Sequence, residues 1–301
     1  MNELNRYEGA LLGLACGDAV GTTLEFRSRG SFVPLTDMVG GGPFSLKAGQ
    51  WTDDTSMALC LAESLITKQA CDPHDQMTRY ANWYEWGYWS STGHCFDIGI
   101  ATRAAIREFL RSGNALAGST DPQSAGNGSL MRLAPIALMY GADEGKVQEM
   151  AALSSRTTHA APECLDACSL FAVALGRALA GQSKQQVLDL AQLSFASPRI
   201  TEIAQGSWRN KSRDQIQSSG YAVHSLEAAL WCFARHENFE AAVLEAANLG
   251  DDADTTAAIT GQIAGAFWGR SGIPAPWLAK LHQRDDIGAL AQSLYQLAQS
   301  A

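Results

Sequence analysis

Apolar residues recur along most of this chain at intervals of three and four, the spacing that places them on one face of an α-helix. In "YAVHSLEAALWCFARH", Val223, Leu226, Leu230 and Phe233 keep a 3-4-3 rhythm, and Phe239, Ala242, Val243 and Ala246 resume it after a short break. Ile98, Thr102, Ala105, Ile106 and Phe109 form a third stripe, and Trp83, Trp86 and Trp89 read as a helical aromatic stripe used for packing. Long alternating strand patterns are absent, so the periodicity predicts an all-α protein whose last ~15 residues form a terminal helix. Residues 27–50, 112–128 and 196–220 are rich in Gly, Pro, Ser or charge and read as loops. Apolar residues recur inside each, as in loops that line a cleft rather than in linkers. The expectation is one compact helical bundle over residues 1–301.

Two of the predicted helices carry glycine ridges. Gly9, Gly13, Gly17 and Gly21 are spaced by four, as are Gly261, Gly265 and Gly269. Each helical glycine costs about 1 kcal/mol relative to alanine, so a row of them needs a packing reason. Close approach of a neighbouring helix supplies one, which puts these two helices at the centre of the bundle.

Composition narrows the class. Apolar residues make up 46% and charged residues 18%, ordinary for a globular protein, and the net charge of −9 without a basic run argues against a nucleic-acid surface. Seven cysteines, none in a Cys-x-x-Cys pair, make no disulfide framework, and Cys164 and Cys168 read as small core residues of a protein in a reducing compartment. The opening "MNELNRYEGALLGLACGDAVG" lacks a basic leader and Asp18 interrupts its apolar run, so it reads neither as a signal peptide nor as a membrane span. A cytoplasmic location, with no membrane partner, is expected.

Candidate chemistry sits at helix starts. "QWTDDTSMALCLAESL" places Thr52, Asp53 and Asp54 ahead of one apolar run, and "NLGDDADTTAAITG" places Asp251, Asp252, Asp254 and Thr255 ahead of another. Capping explains one carboxylate at each start. Several together repel unless a cation intervenes, and carboxylate and threonine oxygens suit Mg²⁺ or Mn²⁺ rather than zinc. If the two starts face each other, up to five carboxylates bracket one or two such ions. Ahead of the helix in "AGNGSLMRLAPIAL", Asn127, Gly128 and Ser129 form either a phosphate cradle or a glycine turn with Ser129 as cap. His159 in "SSRTTHAAPEC" and Asp97 in "GHCFDIGIATR" precede further helices, where cap or packing roles explain them equally well.

Taken in order, "GLACGDAVGTTLEF", "WTDDTSMALCLAESL", "FDIGIATRAAI", "GNGSLMRLAPIAL", "SSRTTHAAPECLDAC", "GYAVHSLEAALW" and "NLGDDADTTAAITGQIAGAFWG" resemble the ADP-ribosylglycohydrolase family, from about residue 8 to 270. The likeness is nearest to its dinitrogenase-reductase-activating glycohydrolase type. It implies an all-α single-domain glycosidase with two Mg²⁺ or Mn²⁺ ions in a cleft, which removes ADP-ribose from modified protein side chains, most often arginine. By resemblance, Thr52, Asp53 and Asp54 supply one half of the metal site and Asp252, Asp254 and Thr255 the other, with Glu25 beside the metals. Asn127, Gly128 and Ser129 correspond to the diphosphate loop, His159 to a residue near the ribose, and Tyr221 either to one facing the adenosine or to a core tyrosine. Asp251 stands where the family pattern has glycine and is taken as a cap or a neighbour of the ligands. The "Asp-Ile-Gly" form at Asp97 looks like that of arginine-directed enzymes.

The implied reaction breaks the N-glycosidic bond through an oxocarbenium-like state. Candidate catalytic groups are Asp53, Asp54, Glu25 and Asp97, the last as proton acceptor or as clamp on the guanidinium leaving group. Rival readings are hydrolysis of serine-linked or small-molecule ADP-ribose, a two-metal diphosphohydrolase releasing AMP, and a non-catalytic ADP-ribose-binding protein.

Overall fold

The computed structural model describes residues 2–300. Its helices run in the order α1 (Glu3–Gly21), α2 (Asp53–Lys68), α3 (Pro73–Trp86), α4 (Ile100–Ser112), α5 (Ala134–Tyr140), α6 (Glu144–Ser155) and α7 (Pro162–Leu179). They continue as α8 (Lys184–Val187), α9 (Pro198–Ala204), α10 (Ala222–Arg235), α11 (Phe239–Ala247), α12 (Ala253–Trp268), α13 (Ala275–Lys280) and α14 (Arg284–Ala298). Among the described residues, pairing of extended backbone is confined to isolated bridges, so the architecture is all-α.

The glycine ridges decide the centre. α1 and α12 pack antiparallel, and a Cβ added to Gly9, Gly13, Gly17 or Gly21 would lie 2.2, 2.3, 2.1 or 2.4 Å from the carbonyl oxygens of Gly265, Gly261, Ala257 and Ala253. In return, a Cβ on Gly261 or Gly265 would lie 2.0 or 1.9 Å from the carbonyls of Gly13 and Gly9. Gly269 is past the ridge, ending α12 at φ 71°. The antiparallel register has a consequence for chemistry: the end of α1 that carries Asp18 meets the start of α12 that carries Asp254. α2, α5, α7, α10, α11 and α14 surround this pair, and Phe171, Phe233 and Phe239 are among the large side chains fully buried between the helices.

Most predicted stripes fold as expected. Leu226, Leu230 and Phe233 of α10, and Thr102, Ala105, Ile106 and Phe109 of α4, are buried. Cys164 and Cys168 are buried free thiols. Ile98 departs from its stripe, because the chain at Asp97 adopts φ 59° and α4 starts only at Ile100, after Gly99. Part of the stretch 196–220 is helical, as α9. The tryptophan stripe is broken by the end of α3: Trp83 is buried, Trp86 is 75% exposed, and Trp89 lies beyond the helix at φ 56°. No helix among the described residues is long and apolar enough to cross a membrane.

Candidate metal centre and ligand cleft

The starts of α2 and α12 do face each other, and neither is capped by the side chain that precedes it. Thr52 holds the N-cap position of α2 and Asp252 that of α12, yet neither side chain caps its own helix. The cap of α2 comes from α1. Asp18 accepts the backbone N–H groups of Thr52 and Thr55 at 2.9 and 3.0 Å, and their hydroxyls at 2.9 and 2.6 Å. The carboxylates of Asp53 and Asp54 are thereby released from capping. Asp18 was absent from the residues singled out by sequence; its one signal is a charge lying between Gly17 and Gly21, on the face that contacts α12.

Two acidic sets result. Carboxylate oxygens of Asp18, Asp54 and Asp254 lie within 4.8 Å of one another, and so do those of Glu25, Asp97 and Asp254, which makes Asp254 common to both. Thr52 Oγ1 lies 3.3 Å from Asp254 Oδ2, and Thr255 Oγ1 lies 3.3 Å from Asp54 Oδ1, so both threonines sit at the junction. Among the described residues, no basic side chain forms an ion pair with any of these acids.

Burial without a counter-charge shows in their protonation. Desolvation, followed by repulsion from neighbouring carboxylates, holds Asp53, Asp54 and Asp254 well above the usual carboxylate range. Desolvation and then Asp97 push Glu25 up to about 10. Asp97 rises to about 7, chiefly by desolvation, and Asp18 to about 6 by desolvation against the bonds from Thr55 and Thr52. Glu25 Oε2, Asp54 Oδ2 and Asp254 Oδ1 are buried and have no hydrogen-bond partner. Such orphaned acceptors call for a cation, and the all-oxygen donor set fits a hard divalent ion.

A cleft of about 1810 Å³ opens above the acids. Glu25, Asp53, Asp97, Asp252, Asp254 and Thr255 line it, while Thr52 and Asp54 lie fully buried beneath. On the adjoining wall, Asn127 donates from Nδ2 to Asp252 Oδ2 at 2.6 Å and to Ser225 Oγ at 2.8 Å. The chain at Ala125–Asn127 pairs with the start of α10: Asn127 N–H donates to the Gly220 carbonyl, and Ala222 N–H to that of Ala125. This pairing sets Tyr221 beside Gly126, where its hydroxyl donates to Glu163 and the Arg199 guanidinium lies 5.7 Å from its ring centre. His159 also lines the cleft, and burial pushes its pKa down to about 3, so it is neutral.

One expected placement is corrected and another is narrowed. The Ser129 hydroxyl is turned into the core, where it is hydrogen-bonded with Ser155 Oγ at 2.7 Å and accepts from Cys168 Sγ at 3.4 Å, and so neither caps a helix nor reaches the cleft. The loop is a turn rather than a helix start, since α5 begins only at Ala134. Among the described residues the N–H groups of Gly128 and Ser129 have no acceptor, and Gly128 lines the cleft. Of the two roles expected of Asp251 the cap is not taken, while its place beside Asp252 in the cleft lining agrees with a neighbour of the acids. It is exposed at φ 54°, and its N–H and carbonyl bond to the backbone of Arg27 and Phe26.

A family model described as ADP-ribosylglycohydrolase matches residues 1–301. The chain is 48% identical over 295 residues to the ADP-ribosylarginine hydrolase Tri1 of Pseudomonas putida (strain GB-1), covering 98% of this chain and 79% of that protein. It is 31% identical to the ADP-ribosyl-[dinitrogen reductase] glycohydrolase of Rhodospirillum rubrum, covering 93% of this chain and 91% of the relative. Among solved structures, one described as an ADP-ribosylglycohydrolase-related protein complex superposes with a TM-score of 0.87 at 41% identity, covering 98% of this chain and 99% of that one.

Proposed function

The chain belongs to the ADP-ribosylglycohydrolase family, and from that premise we propose that it is a metal-dependent hydrolase that frees protein arginine side chains of ADP-ribose by cleaving the N-glycosidic bond. Identity of 48% to an arginine hydrolase against 31% to a dinitrogen reductase glycohydrolase favours the former branch, in place of the type expected from sequence. The observation that carries the reading is the pair of acidic sets sharing Asp254, with unpartnered buried oxygens, on the floor of a cleft also lined by Gly128, whose N–H has no acceptor among the described residues.

In this reading Thr52, Asp53, Asp54, Asp252, Asp254 and Thr255 hold two Mg²⁺ or Mn²⁺ ions, with Glu25 and Asp97 adjoining. When bound, the cations supply Lewis-acid polarisation of the ribose hydroxyls and of the attacking water. The protein's own groups do the rest. Glu25, Asp53 and Asp97 face the cleft, where, ionised beside the bound cations, they would stabilise the positive charge developing on the ribose. Asp97 accepts the proton of the water, or holds the guanidinium through paired N–H···O bonds until it leaves. The Gly128 and Ser129 N–H groups receive the diphosphate. The Asn127 side chain, fixed on Asp252, ties that loop to the metal ligands, and Tyr221 offers its ring to the adenosine.

The test is a purified protein ADP-ribosylated on arginine, incubated with the enzyme and Mg²⁺ while release is followed. Free ADP-ribose is expected, and Asp54→Asn or a chelator should abolish its release. AMP as product would mean that the site cleaves the diphosphate instead.

A further inference from the structure

Arg132 is completely buried, and among the described residues no carboxylate forms an ion pair with it. Its charge is spread over neutral acceptors. Nη1 donates to the Gly128 carbonyl at 2.7 Å, and Nη2 to Thr158 Oγ1 at 2.8 Å and Thr157 Oγ1 at 3.1 Å. The guanidinium carbon lies 4.7 Å from the centre of the Tyr80 ring, and Nε has no acceptor. A buried cation without a counter-ion carries a heavy desolvation penalty that an apolar side chain of similar volume would avoid. The position therefore calls for a reason beyond packing.

The hydrogens supply it. A guanidinium only donates, so Thr158 Oγ1 must accept from Arg132. The hydroxyl proton of Thr158 then has one acceptor within reach, His159 Nδ1 at 2.8 Å. Any other arrangement leaves a buried hydroxyl proton unpaired. Nδ1 is thus the acceptor, and a neutral ring carries its proton on Nε2. Burial and the charge of Arg132 both disfavour the imidazolium. Nε2 faces the loop, since a Cβ built on Gly126 or Gly128 would come within 3.4 or 3.1 Å of it. The bond to the Gly128 carbonyl acts on the same loop. In a trans peptide the following N–H points opposite to that carbonyl, so drawing the oxygen inward aims the Ser129 N–H away from Arg132.

We infer that Arg132 is the positioning residue for the anion-binding wall of the cleft: it orients the Gly128–Ser129 peptide and, through Thr158, fixes His159 as an Nε2–H donor toward ADP-ribose. His159 is then a permanent donor rather than a proton acceptor in the reaction. The ligand's identity rests on the proposed function; the hydrogen-bond relay does not.

The test combines histidine ¹⁵N NMR, calorimetric titration with ADP-ribose in Mg²⁺ and steady-state kinetics on the parent, Arg132→Met and Thr158→Val. The parent should show His159 as the neutral Nε2–H form. Thr158→Val keeps the cation but removes the relay; it should mix the two tautomers and weaken ADP-ribose binding about fivefold, raising KM with little change in kcat. Arg132→Met should weaken binding about tenfold or more, again chiefly through KM. Should Arg132→Met fail to fold, Thr158→Val decides alone. An Nδ1–H form in the parent, or parent-like tautomer and ADP-ribose affinity in Thr158→Val, would overturn the inference. A parent that binds no ADP-ribose would instead sink the proposed function, while the NMR spectra would still decide the relay.

Discussion

Replacing Gly13 with alanine sets two opposite effects against each other at one atom. In an isolated helix the exchange stabilises by about 1 kcal/mol. Here the new Cβ would lie 2.3 Å from the Gly261 carbonyl oxygen and 3.0 Å from Phe239 Cε2. An unstrained contact needs roughly 3.5 Å, so the shortfall against the carbonyl is roughly 1.2 Å. The obstacle is the backbone of α12, which cannot rotate aside as a side chain would, and the two helices must part. Overpacking costs about 1–3 kcal/mol, and a backbone obstacle places this case at the upper end. After the gain in helix propensity, a net loss of about 2 kcal/mol is expected. Gly288→Ala in α14 is the control, because its Cβ would meet nothing within 4 Å; it should gain up to about 1 kcal/mol. Urea denaturation followed by circular dichroism, with chelator present so that cation binding does not contribute, measures both. A Gly13→Ala protein as stable as the parent would refute the close packing of the ridges.

Protonation gives a second test. The acids of the metal centre have pKa values raised on folding, so each favours the folded state while protonated. Without cations, stability should be highest near the unfolded carboxylate values of about 4 and fall as pH rises through about 7 and beyond. The gain in Tm on adding Mg²⁺ should be larger at pH 8 than at pH 5, and an equal gain at both contradicts the repulsion. For the same reason Asp54→Asn should raise the cation-free stability at pH 8, by denaturation in chelator, and abolish the Mg²⁺ gain; an undiminished gain would remove Asp54 from the metal centre. Asp97→Asn should cut turnover about 10²-fold or more while ADP-ribose binding, measured by calorimetry, survives. Parent-like turnover would exclude Asp97 from the reaction.

Features written as spacing were legible before the fold was known. Glycines four apart on two helices specify a close pair, because only a neighbouring backbone rewards their loss of helix propensity. Crowded acids at Thr52–Asp54 and Asp252–Thr255 were legible as more than caps, because one carboxylate suffices for a cap. Asp18 was hidden, since its role depends on which donors the fold places opposite it, here Thr52 and Thr55. Ser129 misled for a related reason. A serine in a glycine turn suggests a ligand contact for its hydroxyl, but one side-chain rotation sends that hydroxyl to Ser155. Ile98 fell out of its stripe because the left-handed turn at Asp97 delays α4, and turn geometry at a non-glycine residue leaves no periodic trace. Glu25 and Tyr221 were singled out by family resemblance, whereas Asn127 was legible as part of a possible phosphate cradle, although no pattern in the chain places it against Asp252.

The most direct test compares two peptides, one ADP-ribosylated on arginine and one on serine. Each is incubated with Mg²⁺, with Mn²⁺ and with chelator, and the products are resolved by mass spectrometry. The account predicts free ADP-ribose from the arginine peptide alone, with either cation and not with chelator. Release that persists in chelator, or AMP in place of ADP-ribose, would contradict it.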